Sequence, residues 1–189
     1  RERLLASYRE RGDFEGLARI LADSANAAPT RADQLEMLRE AARVHVELLH
    51  SPHAAVDLLQ RCCEIAPDDV DSRVALATSL STGLRHSEGI DTLTAHLATL
   101  DEGSLGRLEL LRTRAAISAD AGDLDASLAD LEEVAAVDLL GVLEALESAL
   151  EAKRSLARAR GDASEDRALS MRLVDLAERT KRASLARER

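Results

Sequence analysis

Apolar residues recur along this chain at spacings of three and four, the period of a helix with one buried face. Leu17, Ile20 and Leu21 show the pattern after Asp13, and other residues repeat it in every later segment. Glycine, proline and aspartate interrupt the pattern where helices are expected to end and begin. The pattern therefore predicts a succession of α-helices, about ten to eleven in all, and no β-strand.

A turn-and-helix pattern repeats at an interval of about 38 residues, which points to a repeat architecture. The first instance extends from Gly12-Asp13-Phe14 to Ala28-Pro29, and the second extends from Ser51-Pro52-His53 to Ala66-Pro67. Helix pairs of this length cannot bury their apolar faces alone and stack into a solenoid. We therefore expect one continuous array over residues 1–189. Its units are expected at about 1–30, 31–67, 68–100 and 104–137, followed by a divergent helical continuation over 138–189.

Residues 138–189 keep the helical spacing of apolar residues, but their turns do not follow the pattern of the preceding units. Leu139, Leu143 and later leucines line a long helix that is expected to end near Arg160, where Gly161-Asp162 supplies a break. Another helix follows this break, and a last one is expected to begin near Arg182.

Composition changes this picture in one respect, the thickness of the core. Alanine and leucine dominate the 46% hydrophobic fraction, and the aromatic residues are limited to Tyr8 and Phe14. Small side chains allow helix backbones to approach closely, so we expect a thin and continuous core.

The net charge of -10 is unevenly distributed and bears on the partners. Residues 153–189 contain eleven Lys or Arg and six Asp or Glu, whereas residues 1–152 contain 14 and 29. Because an acidic body repels phosphate, we expect no nucleic-acid partner and no membrane partner, and only the basic tail is a conceivable site for an anionic membrane. No apolar run is long enough to span a membrane. Cys62 and Cys63 are adjacent, too close for an ordinary disulfide, and two free thiols fit the cytoplasmic location that we expect.

These residues resemble the tetratricopeptide repeat. Leu4-Leu5, Tyr8, the Gly12-Asp13-Phe14 turn and the closing Pro29 match one unit of that family, and the resemblance covers about residues 1–137. The period differs, at about 38 residues against 34 in the family, so half-a-TPR, Sel1-like and other αα-solenoid variants are alternatives with the same fold class. The resemblance implies an all-α fold, an αα-superhelix of antiparallel helix pairs. A start without Met and a charged helical end indicate a fragment of a longer array.

The resemblance also implies a binding surface, because the first helix of each unit lines a concave groove in this family. By register, the outward positions of these helices hold Arg9, Glu36, Arg39, Arg43, Glu47, Thr78, Glu109 and Arg112. The functional interpretation is a mixed-charge groove for an extended or helical peptide, with arginine forks available for carboxylates. The alternative is a solvated face with intrahelical pairs, such as Glu36 with Arg39 or Arg43 with Glu47.

The sequence offers no chemistry of catalysis. It has neither a Gly-x-Ser-x-Gly elbow nor a phosphate-binding loop. His50 and His53 precede Cys62 and Cys63, but the four residues lack a zinc spacing. We therefore predict no enzyme, no catalytic or metal-ligating residue and no cofactor.

The leading hypothesis is a scaffold that binds an unidentified protein or peptide, with an oligomeric state that the sequence leaves open. One alternative is a structural spacer or regulatory arm of a larger multidomain protein. A second alternative, less favoured because of the acidic body, is an RNA reader built on similar helix pairs.

Overall fold

The structure, a computed structural model, describes the backbone of residues 2–102 and 104–187 and the side chains of residues 7–102 and 104–186. These residues form nine α-helices, where the sequence predicts ten to eleven, and no strand, as the apolar spacing predicts. The helices are α1 Glu2–Arg11, α2 Phe14–Asn26, α3 Arg31–Arg43, α4 Pro52–Ile65, α5 Val70–Thr82, α6 His86–Leu97, α7 Leu105–Asp120, α8 Leu124–Arg160 and α9 Ala163–Arg187. A short π-helical segment, Val44–Leu48, continues α3 without a break.

The chain forms two compact units, Arg1–His96 and Leu97–Arg189. In the first unit α2 packs on α3, α3 on α4, and α4 on α5; in the second, α7 packs on α8 and α8 on α9. The helices of each of these pairs are consecutive in the chain, which is the arrangement of a helical repeat. The single array over residues 1–189 stays a prediction.

Three Gly-Asp turns join consecutive helices, at Gly12-Asp13, Gly122-Asp123 and Gly161-Asp162, as the sequence predicts. The glycines have φ angles of 68°, 85° and 73°, in the left-handed region that side chains disfavour. In the second turn Asp123 donates its N–H to the carbonyl of Ser118 (2.8 Å), and its carboxylate accepts from the N–H of Ala126 (3.0 Å). One aspartate thus closes a helix and caps the next.

The turn after α5 places a leucine where the other turns have glycine. Gly83 has a φ of -81°, whereas Leu84 has a φ of 61°. The N–H of Arg85 bonds to the carbonyl of Leu80 (2.9 Å), which is the same closure as in the Gly-Asp turns. The Leu84 side chain is 82% exposed and therefore gains little from burial.

We expect Leu84→Gly to raise the free energy of unfolding by about 0.5–1 kcal/mol. A leucine in the left-handed region costs about 1–2 kcal/mol, and the substitution removes this strain from the folded state. Glycine also raises the conformational entropy of the unfolded chain, which offsets part of the stabilisation. Gly122→Ala is the matched control of opposite sign, with an expected loss of about 1 kcal/mol. Urea denaturation followed by far-ultraviolet circular dichroism measures both. A stability of Leu84→Gly at or below that of the parent chain would contradict the argument.

Small and medium side chains build the core of the first unit, in keeping with the scarcity of aromatic residues. Leu38 is fully buried and forms a cluster with Ala25, Met37 and Cys62. Both cysteines are free. Burial raises the pKa of the Cys62 thiol to about 11, so it stays protonated at neutral pH and packs as a small apolar group.

Charged side chains join the helices of the second unit. Arg114 of α7 donates two hydrogen bonds to Asp130 of α8, at 2.8 and 2.7 Å, and Asp130 is only 6% exposed. Glu132 of α8 accepts from both Arg172 (3.2 Å) and Arg179 (3.3 Å) of α9. The first pair is nearly buried and the second group is a surface network, so they contribute differently to stability.

Helix α8 is kinked at Asp138, where φ is -135° and ψ is 71°. The Asp138 carboxylate accepts a hydrogen bond from the N–H of Gly141 (3.1 Å), which is the geometry of an N-cap. A new helical stretch thus begins where the sequence predicts the change from the fourth unit to the continuation.

The prediction of a last helix beginning near Arg182 is wrong. Helix α9 continues unbroken over Ala163–Arg187. This stretch is rich in Ala, Leu, Arg and Glu and contains neither glycine nor proline, so nothing in it ends a helix. With α8 divided at its kink, the described residues contain ten helical stretches.

Candidate peptide-binding cleft

A cleft of about 350 Å³ lies in the first unit, between α3 with its π-helical continuation on one wall and α5 on the other. Leu59 of α4 lines the cleft between these two walls. The lining residues are Arg39, Ala42, Arg43, Val46, Glu47, Leu59, Asp71, Ser72, Ala75, Thr78 and Ser79. The cleft thus combines small and aliphatic side chains with four charged ones.

Helical spacing explains why these residues share one space. Arg39, Arg43 and Val46 follow one another at steps of four and three along the first wall. Asp71 and Thr78 are seven residues apart, two turns along the second wall. Alanines between them leave room where larger side chains would fill the cleft.

Arg39 links the two walls. Its Nη2 donates to Asp69 and its Nε donates to the hydroxyl of Ser72 (3.1 Å). Asp69 also caps α5, since its carboxylate accepts from the N–H of Ser72 (2.9 Å). Burial alone would raise the pKa of Asp69, but the hydrogen bonds from Arg39 and Ser72 lower it. The bond to Asp69 in turn raises the pKa of the Arg39 guanidinium.

Arg43 and Arg9 share one carboxylate. Glu40 accepts from Arg43 at 2.9 Å and from Arg9 at 2.9 Å. The Arg9 side chain is 54% exposed and the Arg43 side chain 60%, so this group contributes little to stability.

The predicted intrahelical pairs are not those that form. Arg39 contacts Asp69 of α5 rather than Glu36, and Arg43 contacts Glu40 rather than Glu47. The expectation of free arginine forks is also wrong for both residues. A single helical register could not predict the Asp69 contact, because it depends on the neighbouring helix.

The cleft contains half of the eight residues predicted for the groove. Arg39, Arg43, Glu47 and Thr78 line it. Arg9 and Glu36 belong to the same unit but do not line the cleft, and Glu36 is exposed.

The remaining two, Glu109 and Arg112, lie on α7 in the second unit. Glu109 is exposed, and Arg112 donates from Nη2 to Asp138 at the kink of α8 (2.6 Å). The Nε of Arg112 is buried with no hydrogen-bond acceptor among the described residues. A single groove through all eight positions stays a prediction.

The sequence interpretation missed the apolar part of the cleft. Ala42, Val46 and Ala75 each lie three residues from a predicted groove residue, so the register contained the signal. These positions read as ordinary core because their side chains are apolar. Leu59 could not be predicted, since it comes from α4.

The part of the chain that the structure describes contains neither a cluster of metal ligands nor a helix suited to a membrane. No three His, Cys, Asp or Glu side chains there lie close enough together to hold a metal ion. Of the helices described, none has both the length and the apolar character needed to cross a bilayer.

Neither a protein-family profile nor a curated protein sequence matches this chain. Solved structures do. A crystal structure of MamA is 14% identical over 93% of this chain and 95% of its own, with a TM-score of 0.61. The nearly identical TPR-like repeats of a candidate kinesin light chain from Podosopora anserina are 19% identical over 95% and 94%, with a TM-score of 0.58. BtubC (BKLC) from P. vanneervenii is 15% identical over 94% and 78%, with a TM-score of 0.60. The chain therefore has an all-α, TPR-like helical-repeat fold.

Proposed function

We propose that this chain is a non-catalytic protein-interaction scaffold, and that the cleft of its first unit takes a peptide segment of a partner protein. The observation that carries the proposal is the cleft itself, in which apolar side chains lie between charged ones on two helix walls. A TPR-like fold supports it, because helical repeats present extended surfaces of this kind.

The lining favours one apolar side chain as the main contact. Ala42 and Ala75 are small enough to leave depth, and Val46 is 39% exposed at the mouth. Burying one leucine-sized side chain stabilises a complex by about 1.5–3 kcal/mol before the cost of association. The cleft alone therefore supports a weak, reversible contact, and a tighter one needs further contacts outside it.

The same lining supports a non-catalytic role. Among the described residues that surround the cleft, none is a histidine, cysteine or lysine. The hydroxyl of Ser72 accepts a hydrogen bond from Arg39 and bonds to the carboxylate of Asp69, which Arg39 also binds, and the described lining places no histidine beside it. The arrangement provides shape and charge but no activated nucleophile.

A peptide library displayed on phage tests the proposal, with Thr78→Trp as the variant that fills the cleft. Thr78 is exposed on the second wall, so an indole there occupies the mouth without entering the core. We expect the parent chain to enrich a sequence motif and Thr78→Trp to lose it. Gln60→Trp is the matched control, since Gln60 is exposed on α4 and outside the cleft, and it should enrich the same motif.

Two outcomes count against the proposal. A motif that survives Thr78→Trp would place binding elsewhere on the chain. Enrichment of no motif by any of the three proteins would favour the structural spacer or regulatory arm.

A further inference from the structure

The charges that line the cleft differ in whether this chain already compensates them. Arg39 is bound to Asp69, and Arg43 is bound to Glu40 at 2.9 Å. Glu47 on the first wall and Asp71 on the second are both exposed, and neither forms an ion pair with a described side chain. Glu40 is shared with Arg9, but the two lining charges that have no ion pair among the described residues are both negative.

The π-helical segment explains why Glu47 has no ion pair. In an α-helix Arg43 and Glu47 would be neighbours one turn apart, at a spacing that favours an ion pair. Here the N–H of Leu49 bonds to the carbonyl of Val44 (3.1 Å), five residues earlier, so side chains four apart no longer stack. Arg43 contacts Glu40 on the preceding turn, and Glu47 is left at the mouth of the cleft.

Arg39 does not neutralise Asp71. Its guanidinium is hydrogen-bonded to Asp69, and the negative charges of Asp69 and Asp71 both raise the pKa of this guanidinium. One cation therefore faces two carboxylates on the second wall. The first unit as a whole has 11 Arg and 16 Asp or Glu, so its wider field has the same sign.

We propose that the occupant of the cleft is a basic peptide segment, in which one apolar side chain lies between Lys or Arg residues. The apolar side chain fills the space beside Ala42, Leu59 and Ala75, and the flanking cations contact Glu47 and Asp71. This inference rests on the proposed function and specifies the chemistry of its partner. It reverses the expectation from the sequence, in which arginines of the groove were available for carboxylates.

Three fluorescent peptides of equal length test the inference by fluorescence anisotropy. Each has a central leucine, flanked by arginines, by glutamines or by glutamates. We expect the arginine peptide to bind about ten-fold or more tightly than the glutamate peptide at low salt, and added salt to reduce this difference.

The double variant Glu47→Gln, Asp71→Asn should weaken binding of the arginine peptide by about three- to ten-fold, as expected for two partly exposed contacts. Binding of the glutamine peptide should not change. The matched control is Asp57→Asn, Glu64→Gln, which removes the same charge from exposed positions on α4. Comparing the loss of affinity in the two double variants separates the effect of direct contacts from that of the overall charge of the unit.

Tighter binding of the glutamate peptide, or equal loss of affinity in the double variant and its control, would overturn the inference. The Thr78→Trp variant distinguishes this failure from failure of the proposed function. If it abolishes binding of every peptide while the charge variants change nothing, the cleft binds peptides but does not select basic ones. If it leaves the binding of every peptide unchanged, the proposed function fails as well.

Discussion

Replacing Leu38 with alanine is expected to lower the free energy of unfolding by about 3–4 kcal/mol, a large part of the stability of a domain. Leu38 has no exposed surface and is in one cluster with Ala25 of α2 and Cys62 of α4. Its side chain therefore connects three helices. The neighbours are small or medium in size, and no aromatic ring is present in the cluster to move into the space that the leucine leaves.

Urea denaturation followed by far-ultraviolet circular dichroism measures this loss, since the chain has no tryptophan. Leu105→Ala is the matched control, because Leu105 begins α7 with 85% of its surface exposed. We expect it to change stability by less than about 0.5 kcal/mol. A loss below about 1 kcal/mol in Leu38→Ala would mean that the surrounding helices collapse into the cavity.

Asp130→Ala is expected to destabilise the second unit by about 2–4 kcal/mol, because it removes the bidentate acceptor of a largely buried guanidinium. The Arg114 and Asp130 side chains are 22% and 8% exposed, so water compensates only part of the loss. The hydrogen bond to Asp130 raises the pKa of Arg114, and the arginine stays charged at every accessible pH.

Asp125→Ala provides the comparison on the same helix. Asp125 also contacts a cation, Lys153, but is 79% exposed, so its loss should cost less than about 1 kcal/mol. The double variant Arg114→Met, Asp130→Leu should recover much of the stability lost in Asp130→Ala, since apolar groups of similar volume replace the pair. Equal effects of Asp130→Ala and Asp125→Ala would show that burial of the pair has no energetic consequence.

Local chemistry explains which parts of the fold the sequence predicts. The turns at Gly122-Asp123 and Gly161-Asp162 depend on a left-handed glycine and a capping carboxylate, and both are properties of residues adjacent in sequence. The left-handed Leu84 was not predictable in this way. Its residue type disfavours the conformation, so the closure of the turn between α5 and α6 must impose it.

The candidate site was predictable to a smaller extent, for a related reason. Register along one helix predicts Arg39 and Arg43 on one face, and both line the cleft. The register of one helix does not show that Asp69 lies beside Arg39, because Asp69 is at the start of another helix, α5. The pairing of charges decides which of them a ligand meets, and this pairing is a property of neighbouring helices rather than of one helix.

The π turn also contains one residue of the additional length of this unit. The stripe that faces α2 includes Ala41 and Val44 and, in an α-helix, would continue at Leu48. Leu49 takes that place and packs against the same cluster, while Leu48 is 45% exposed. An additional residue is thus accommodated inside a helix rather than in a turn. An alignment of this unit with a 34-residue repeat therefore needs one of its gaps within Val44–Leu48, where gaps are normally penalised most.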